Sequence, residues 1–438
     1  MSDPRRAPNL PRIHPAAWHG AIGEIVRKVA PSTEADPVAI LGTTLALFGA
    51  IAGDGPWVRC GGAKHPARIW PLIIGKTGSG RKGTSLAEAR SIARGWSTYA
   101  DNYANHRMIF GLSSGEGIIQ ALGGQVGSAG DGDQQVTAPD GKLTVTETEF
   151  ARTLTAAKRD GSTLGPILRQ LWEDGSAAVL TKNMASVRGA HLIVVAHITP
   201  QELRMKLAEA DLAGGTLNRF LLLAAERPHL IPHESRNRPD VAEPSEWLGK
   251  AIESTRFASG EIHRDRDAED LWEAVYAALS DDEPDGHLGA VLARGPVYTM
   301  RLALAYALAD GDSSIRPQHL LAGLAVWQYA ADTARRLFPT GSRTDVDRLI
   351  AYIDEAGPAG RSKTDIFRGL FRANKSAEEV RALIAELQRR DRIAEDKQAP
   401  EGGRGRPQVR YRATGKYVDK VSDLLAIYGT NVFTSHAH

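Results

Sequence analysis

The segment that most restricts this chain is Ile73-Ile-Gly-Lys-Thr-Gly-Ser-Gly-Arg-Lys-Gly-Thr-Ser85. An apolar stretch, Arg68-Ile-Trp-Pro-Leu-Ile-Ile74, runs into it, and a helical pattern from Leu86 to about Ala100 runs out of it. A turn of small residues between a buried strand and a helix lets successive backbone N–H groups face one anion. The positive end of the helix adds to that field. The spacing approximates the phosphate-loop pattern G-x-x-x-x-G-K-[ST]. Gly75 and Gly80 fit it, with Gly78 and Ser79 between them. Arg81 then stands in the lysine place, and Lys82, Gly83, Thr84 and Ser85 follow. We read Lys82 as the phosphate lysine of a loop one residue longer than the pattern. Thr84 or Ser85 is then the Mg2+ ligand. Residues 75–85 are thus expected to hold ATP with Mg2+, and an incidental glycine turn is the alternative.

Short apolar segments recur around the loop, at Arg107–Phe110, Leu143–Thr146 and His191–Ala196, with helical stretches between them. That alternation predicts an α/β parallel sheet. Hydrolysis of a triphosphate calls for carboxylates at a strand end, one for the metal and one to polarise water. Leu143-Thr-Val-Thr-Glu-Thr-Glu-Phe150 offers Glu147 and Glu149. On a continuing strand they share one face. We assign Glu149 as the water-polarising base and Glu147 as the metal-side acid. Two acids at a helix N-terminus are the alternative.

At about 150 residues per domain, 438 residues suggest about three domains. Residues 1–55 read as a Pro/Arg-rich arm and a helical cap, 56–228 as the α/β core, and 229–340 as a helical lid. The segment 123–142 has no apolar period and reads as a long loop. Hydrophobic residues at 42% and charged residues at 24% exclude a disordered chain. The balance of 54 basic and 52 acidic residues excludes a uniformly basic coat but not a local patch. A single cysteine, Cys60, excludes an intrachain disulfide and a cysteine zinc cluster, and fits a reducing compartment. Residues 1–15 lack the apolar core of a secretory signal. The longest apolar run, near residues 37–52, is shorter than the ~20 residues that cross a bilayer. The expectation is a cytoplasmic protein with no membrane partner.

Residues 341–414 form a separate pattern, with 415–438 as a tail. Asp345–Ala356 is a first helix with Val346, Leu349, Ile350 and Ile353 at helical spacing. Ser362 can cap a second, Lys363–Leu370. Arg372–Lys375 is a turn, and a third helix follows with Val380, Leu383, Ile384 and Leu387 apolar. Two strands, Arg392–Lys397 and Gln408–Arg412, flank a glycine-rich loop. Three helices and a β-hairpin make a winged helix-turn-helix. Its third helix would enter a major groove of DNA with Arg381, Gln388 and Arg389. Arg404, Arg406, Arg410 and Arg412 of the wing suit phosphate contact. A protein-interaction module is the alternative.

Four further segments carry a resemblance. Gly80-Arg-Lys-Gly-Thr-Ser85 comes with Gly111-Leu-Ser-Ser-Gly-Glu-Gly117, Val195-Ala-His-Ile-Thr-Pro200 and Arg301-Leu-Ala-Leu-Ala-Tyr-Ala-Leu308, and with Thr33-Glu-Ala-Asp-Pro37 upstream. Over about residues 14–340 the chain resembles the P-loop ATPases encoded by phages, plasmids and integrated elements, often beside primase-polymerases. The resemblance implies an AAA+-like or superfamily 3 helicase-like core. It implies that His197 senses the γ-phosphate. Arg219, in Gly214-Gly-Thr-Leu-Asn-Arg-Phe220, would be an arginine finger for a neighbouring subunit, which requires a homo-oligomeric ring such as a hexamer. Arg301, opening the lid helix, would be a second sensor, with Arg294 as its alternative. A hairpin between Trp172 and His191 would present Lys182 and Arg188 to DNA in a pore, or lie on the surface.

These readings converge on an ATP-dependent DNA motor, a ring helicase of a mobile-element replication module, with a primase-polymerase as partner. The rival is a nucleotide-switched replication initiator or regulator that binds DNA without unwinding it. A third reading is an ATPase that remodels a protein partner.

Overall fold

The computed structural model describes residues 10–123, 125–128, 140–179, 183–208, 215–232, 239–280, 286–338, 345–372, 374–389, 393–398, 408–413, 421 and 424–428. The chain forms two compact units, residues 1–338 with 424–438, and residues 339–423.

The first unit opens with α1 (Gly20–Val29) and α2 (Pro37–Ala52). Asp36 caps α2 by accepting the Val38 N–H at 2.8 Å, and Pro37 occupies the first turn, where no N–H is needed. Every residue of α2 after Pro37 is buried, so this helix of the expected cap belongs to the core. Then follow β1 (Pro56–Cys60), β2 (Ala63–Pro66), β3 (Pro71–Ile74), α3 (Lys82–Arg94), α4 (Thr98–His106) and β4 (Met108–Phe110). Next come α5 (Gly115–Ala121), β5 (Gln125–Ser128), β6 (Lys142–Glu147), α6 (Phe150–Ala157) and α7 (Leu164–Glu173). β7 (Ala177–Val179), β8 (Asn183–Val187), β9 (His191–Ile198), α8 (Pro200–Ala208) and β10 (Leu221–Ala224) complete the central part. The remaining elements are α9 (Ala242–Thr255), β11 (Gly260–Glu261), α10 (Arg266–Ser280), α11 (Gly286–Leu292), α12 (Gly295–Ala309) and α13 (Pro317–Leu337).

The expected α/β architecture is present. A five-stranded sheet runs in the order β10-β3-β9-β6-β4, and every adjacent pair is parallel. All eight residues of β9 are buried, as a strand covered on both faces requires. Two smaller sheets, β11-β1-β2 and β5-β8-β7, lie outside it. The second contains the expected hairpin, β7–β8, and adds β5, which falls in the segment read as a loop. The predicted helix from Leu86 to Ala100 is two helices. Gly95 and Trp96 interrupt it, and Ser97 restarts it by accepting the Ala100 N–H at 3.1 Å. In the segment read as a lid, α12 is buried along its whole second and third turns, and Gly323 of α13 lies so close that an added Cβ would meet Thr299 O at 2.7 Å. Cap, core and lid helices therefore share one hydrophobic interior.

The second unit contains α14 (Asp345–Asp354), β12 (Arg361–Ser362), α15 (Lys363–Asp365), α16 (Ala377–Arg389), β13 (Ile393–Gln398) and β14 (Gln408–Ala413). α15 continues into a π-helical turn over Ile366–Leu370. Ser362 caps α15 as expected, with Asp365 returning the bond to the Ser362 N–H at 2.8 Å. The strands form an antiparallel sheet, β12-β14-β13. Leu349, Ile353, Ile366, Val380, Ile384 and Tyr411 are among the residues of its own core. No helix among the described residues is long and apolar enough to cross a membrane.

Candidate functional site

The glycine loop leaves the C-terminal end of β3, which has a parallel strand on each side. It closes on itself, with the Gly80 N–H bonding Lys76 O at 2.9 Å and the Ser79 N–H bonding Thr77 O at 2.8 Å. Its flanks are braced by the Gly75 N–H on Ile198 O at 3.2 Å and the Arg227 N–H on Ser79 O at 3.1 Å. Gly78 sits at φ +71°, a region that favours glycine. At Gly78 and Gly83 an added Cβ meets nothing within 4 Å, so both positions face open space. At Gly80 it would meet Lys76 O at 2.7 Å, so the loop can close only around glycine.

The order Arg81-Lys82 is now explained. Arg81 takes a left-handed backbone, φ 44°, and its guanidinium pairs with Glu34. Arg227 approaches the same carboxylate at 3.6 Å. Lys82 is the first residue of α3, and its Nζ folds back to Gly75 O at 2.6 Å and Lys76 O at 3.4 Å. Burial lowers the Lys82 pKa. Of the two basic residues, Lys82 is the one that lies over the loop. The two hydroxyls also separate: Ser85 is buried and donates to Lys82 O at 2.7 Å, whereas Thr84 is half-buried.

The acids lie further off than adjacent strands would put them, because β9 stands between β3 and β6. Glu147 ends β6, and its carboxylate accepts the Leu112 N–H at 3.0 Å and the Glu149 N–H at 2.9 Å. Glu149 is not on the strand. It precedes α6 with φ −126° and ψ 60°, its side chain is 65% exposed, and it pairs with Arg152 at 3.3 Å. The two acids therefore do not share a strand face. His197 sits opposite Ile73 in the parallel register of β9 and β3. It is buried, and its Nε2 has no hydrogen-bond partner among the described residues. Burial, reinforced by the Lys82 charge, pushes its pKa down to about 4. Sequence reasoning missed Glu202, whose charge acts on Lys82. Glu202 accepts the Thr199 hydroxyl at 2.7 Å and N–H at 3.0 Å. The signal was available as the capping pattern Thr199-x-x-Glu202 directly after β9.

Beside the loop is an apolar-walled cavity of about 310 Å³. Leu10 and Pro11 of the arm, Gly75 and Gly80 of the loop, and Thr333 and Leu337 of α13 line it.

The arginines lie elsewhere. Arg219 lies two residues before β10, whose N-terminal residue pairs with that of β3, so it sits at the end of the sheet away from the loop. Its guanidinium donates to Gly215 O at 2.7 Å and to Glu173 at 2.6 Å. Arg294 approaches the same Glu173 at 3.5 Å. The placement of Arg301 overturns the expectation that it opens the lid helix. α12 begins at Gly295, and Arg301 lies inside it, fully buried. It donates to Arg68 O at 2.9 Å, Trp172 O at 3.0 Å and His65 Nδ1 at 3.1 Å, over the Trp172 ring at 3.8 Å. Burial, with Arg68 nearby, lowers its pKa to about 9. A side chain so enclosed is a packing element and does not face the loop.

His19, Asp310 and His319 bring three possible metal-ligand atoms within 4.8 Å of one another. The Arg316 N–H, however, donates to His319 Nδ1 at 3.0 Å. Neutral His319 then carries its proton on Nε2, which faces Asp310 at 3.1 Å. A ligating histidine needs the opposite tautomer. The cluster is a hydrogen-bonded clasp between the start of α1 and the α12–α13 turn.

In the second unit Arg381 and Arg389 are exposed on α16, with Arg381 Nε also on Ala377 O at 3.1 Å. Arg410 and Arg412 do not stand free as wing contacts. Arg410 donates to Ala359 O at 3.0 Å and Gly360 O at 3.2 Å, and Arg412 pairs with Asp396 at 2.7 Å. Arg188 is exposed just after β8. Lys182, Arg404 and Arg406 lie outside the described residues. Comparison with protein-family models and with curated proteins gives no match to this chain.

Proposed function

We propose that this chain is a P-loop ATPase that requires Mg2+ and acts on DNA as a ring-forming motor, with its second unit a winged helix-turn-helix. The observation that carries this reading is Lys82. Its ammonium lies over an open glycine loop at the C-terminal end of a central parallel strand, while Glu34 holds Arg81 aside. The loop fits a polyphosphate: Gly78 and Gly83 leave space where side chains would fill it, and the α3 N-terminus faces that space. The cavity beside Thr333 and Leu337 suits a base.

Lys82 exchanges its two carbonyl partners for phosphate oxygens. Thr84 is the hydroxyl better placed for Mg2+, because that of Ser85 is committed to Lys82 O. Bound Mg2+ supplies charge neutralisation at the phosphoryl group. Glu147, held by two backbone N–H groups, would be the metal-side acid, and Glu149 would polarise water once it leaves Arg152. His197 offers a neutral, unpartnered Nε2 beside Lys82. Arg219 is too far from its own loop, so it serves a neighbouring subunit after leaving Glu173.

Steady-state ATP hydrolysis with Mg2+, with and without single-stranded DNA, tests this beside Lys82→Ala. DNA-stimulated turnover that falls at least ~100-fold in Lys82→Ala is expected. Unchanged turnover in the variant refutes the site. The exposed, ion-paired state of Glu149 favours a second reading, a nucleotide-switched initiator. ATP binding without turnover, together with a footprint at one DNA sequence, would select it.

A further inference from the structure

We propose that the turn before α16 seats a DNA backbone phosphate, with Arg372 as the contacting cation; this rests on the DNA-binding reading above. A cavity of about 450 Å³ opens at this turn. Its lining includes Arg348, Tyr352, Phe371, Arg372, Asn374 and Lys375, and no lining residue among the described residues is acidic. Two of its cations are fixed from behind. Asp345 pairs with Lys375 at 2.6 Å and with Arg348 at 3.1 Å. Arg348 and Lys375 also lie over the Phe371 ring, at 5.5 and 5.8 Å, so one aromatic ring braces both cations. Cations held close together in a concave site attract an anion more strongly than the same charges spread in water.

Arg372 completes the set differently. Its backbone is left-handed, φ 48°, which is unfavourable for a residue with a side chain. The π-helical turn Ile366–Leu370 ends two residues before it, an irregularity that clusters at functional sites. The Asn374 N–H on Phe371 O at 2.8 Å closes the turn and leaves Arg372 exposed on the rim. Asp345 offsets one of the three cations, and Glu379 stands 3.9 Å from Lys375, outside the lining. The polymer is favoured over a free anion because the seat adjoins α16, which exposes Arg381, Gln388 and Arg389. A duplex read by α16 must lay a strand past its N-terminus. Arg410 and Arg412 are engaged within their own unit, so the wing does not meet this need through them.

The test is duplex-DNA affinity of the full chain against salt concentration. Each phosphate contact contributes about 0.9 to the slope of log K on log salt. Arg372→Gln, which keeps the β-carbon, is expected to reduce the slope by about that amount and weaken binding about eightfold at ~0.1 M salt. Arg372→Lys restores the slope, and Arg368→Gln, an exposed arginine outside the cavity lining, leaves it unchanged. DNA binding with an unaltered slope in Arg372→Gln overturns the seat while sparing the DNA reading. Wild-type protein that binds no DNA overturns both. A titration with inorganic phosphate separates the sources: an Arg372-dependent phosphate response with an unaltered DNA slope assigns the cavity to a free anion and overturns the proposal.

Discussion

Substituting His197 should change how stability depends on pH more than it changes stability at neutral pH. Its imidazole is buried on β9, the strand paired with the loop strand, and its pKa falls from 6.5 to about 4, first through burial and then through the Lys82 charge. Between those values the unfolded chain binds a proton that the folded chain refuses. The contribution is therefore complete above pH 6.5 and is lost as pH falls toward 4. At 1.36 kcal/mol per pKa unit, the loss is about 2 kcal/mol at pH 5 and about 3 kcal/mol at pH 4. The assay is urea unfolding of wild type and His197→Gln at about pH 7.5 and pH 5, with His65 and His191 common to both proteins. Wild type should lose about 2 kcal/mol more than the variant over that interval. Parallel losses in the two proteins would mean that His197 protonates without penalty. Its place as a neutral group beside Lys82 would then be wrong.

The loop glycines should separate by their surroundings. Gly80→Ala must displace Lys76 O, 2.7 Å from the new Cβ, and should raise the ATP KM at least tenfold. Gly83→Ala meets open space in the free protein and should perturb stability little, by about 0.5 kcal/mol or less, while still obstructing ATP. Urea melts and KM together check both. Arg301→Met should destabilise by about 3 kcal/mol, since it strips donors from the His65, Arg68 and Trp172 acceptors. ATP KM measured under folded conditions should stay unchanged, and a selective rise in KM would return Arg301 to the nucleotide.

Much of this was legible from local pattern. The loop, the strands at 143–146 and 191–196, and the separate 345–413 unit follow from apolar period, glycine spacing and caps, all properties of neighbouring residues. The roles of Arg81 and Lys82 were half legible: Lys82 was the preferred lysine, but the reason lies in Glu34, far away in the chain. Arg301 misled because a helix that is apolar all round carries no stripe to show which way one arginine faces. Its partners come from two other segments, His65 and Arg68 from the end of β2 and the residues after it, and Trp172 from α7.

The sequence by itself determined where backbone N–H groups could gather around an anion, because only a strand, small residues and a helix start are needed, and all are contiguous. Tertiary structure alone decided which charges face that anion. Glu34 drew Arg81 away, Glu173 took Arg219, Trp172 and His65 enclosed Arg301, and β9 came between the loop and the acids. Charge placement depends on long-range pairing and desolvation, which act between elements that only folding brings together.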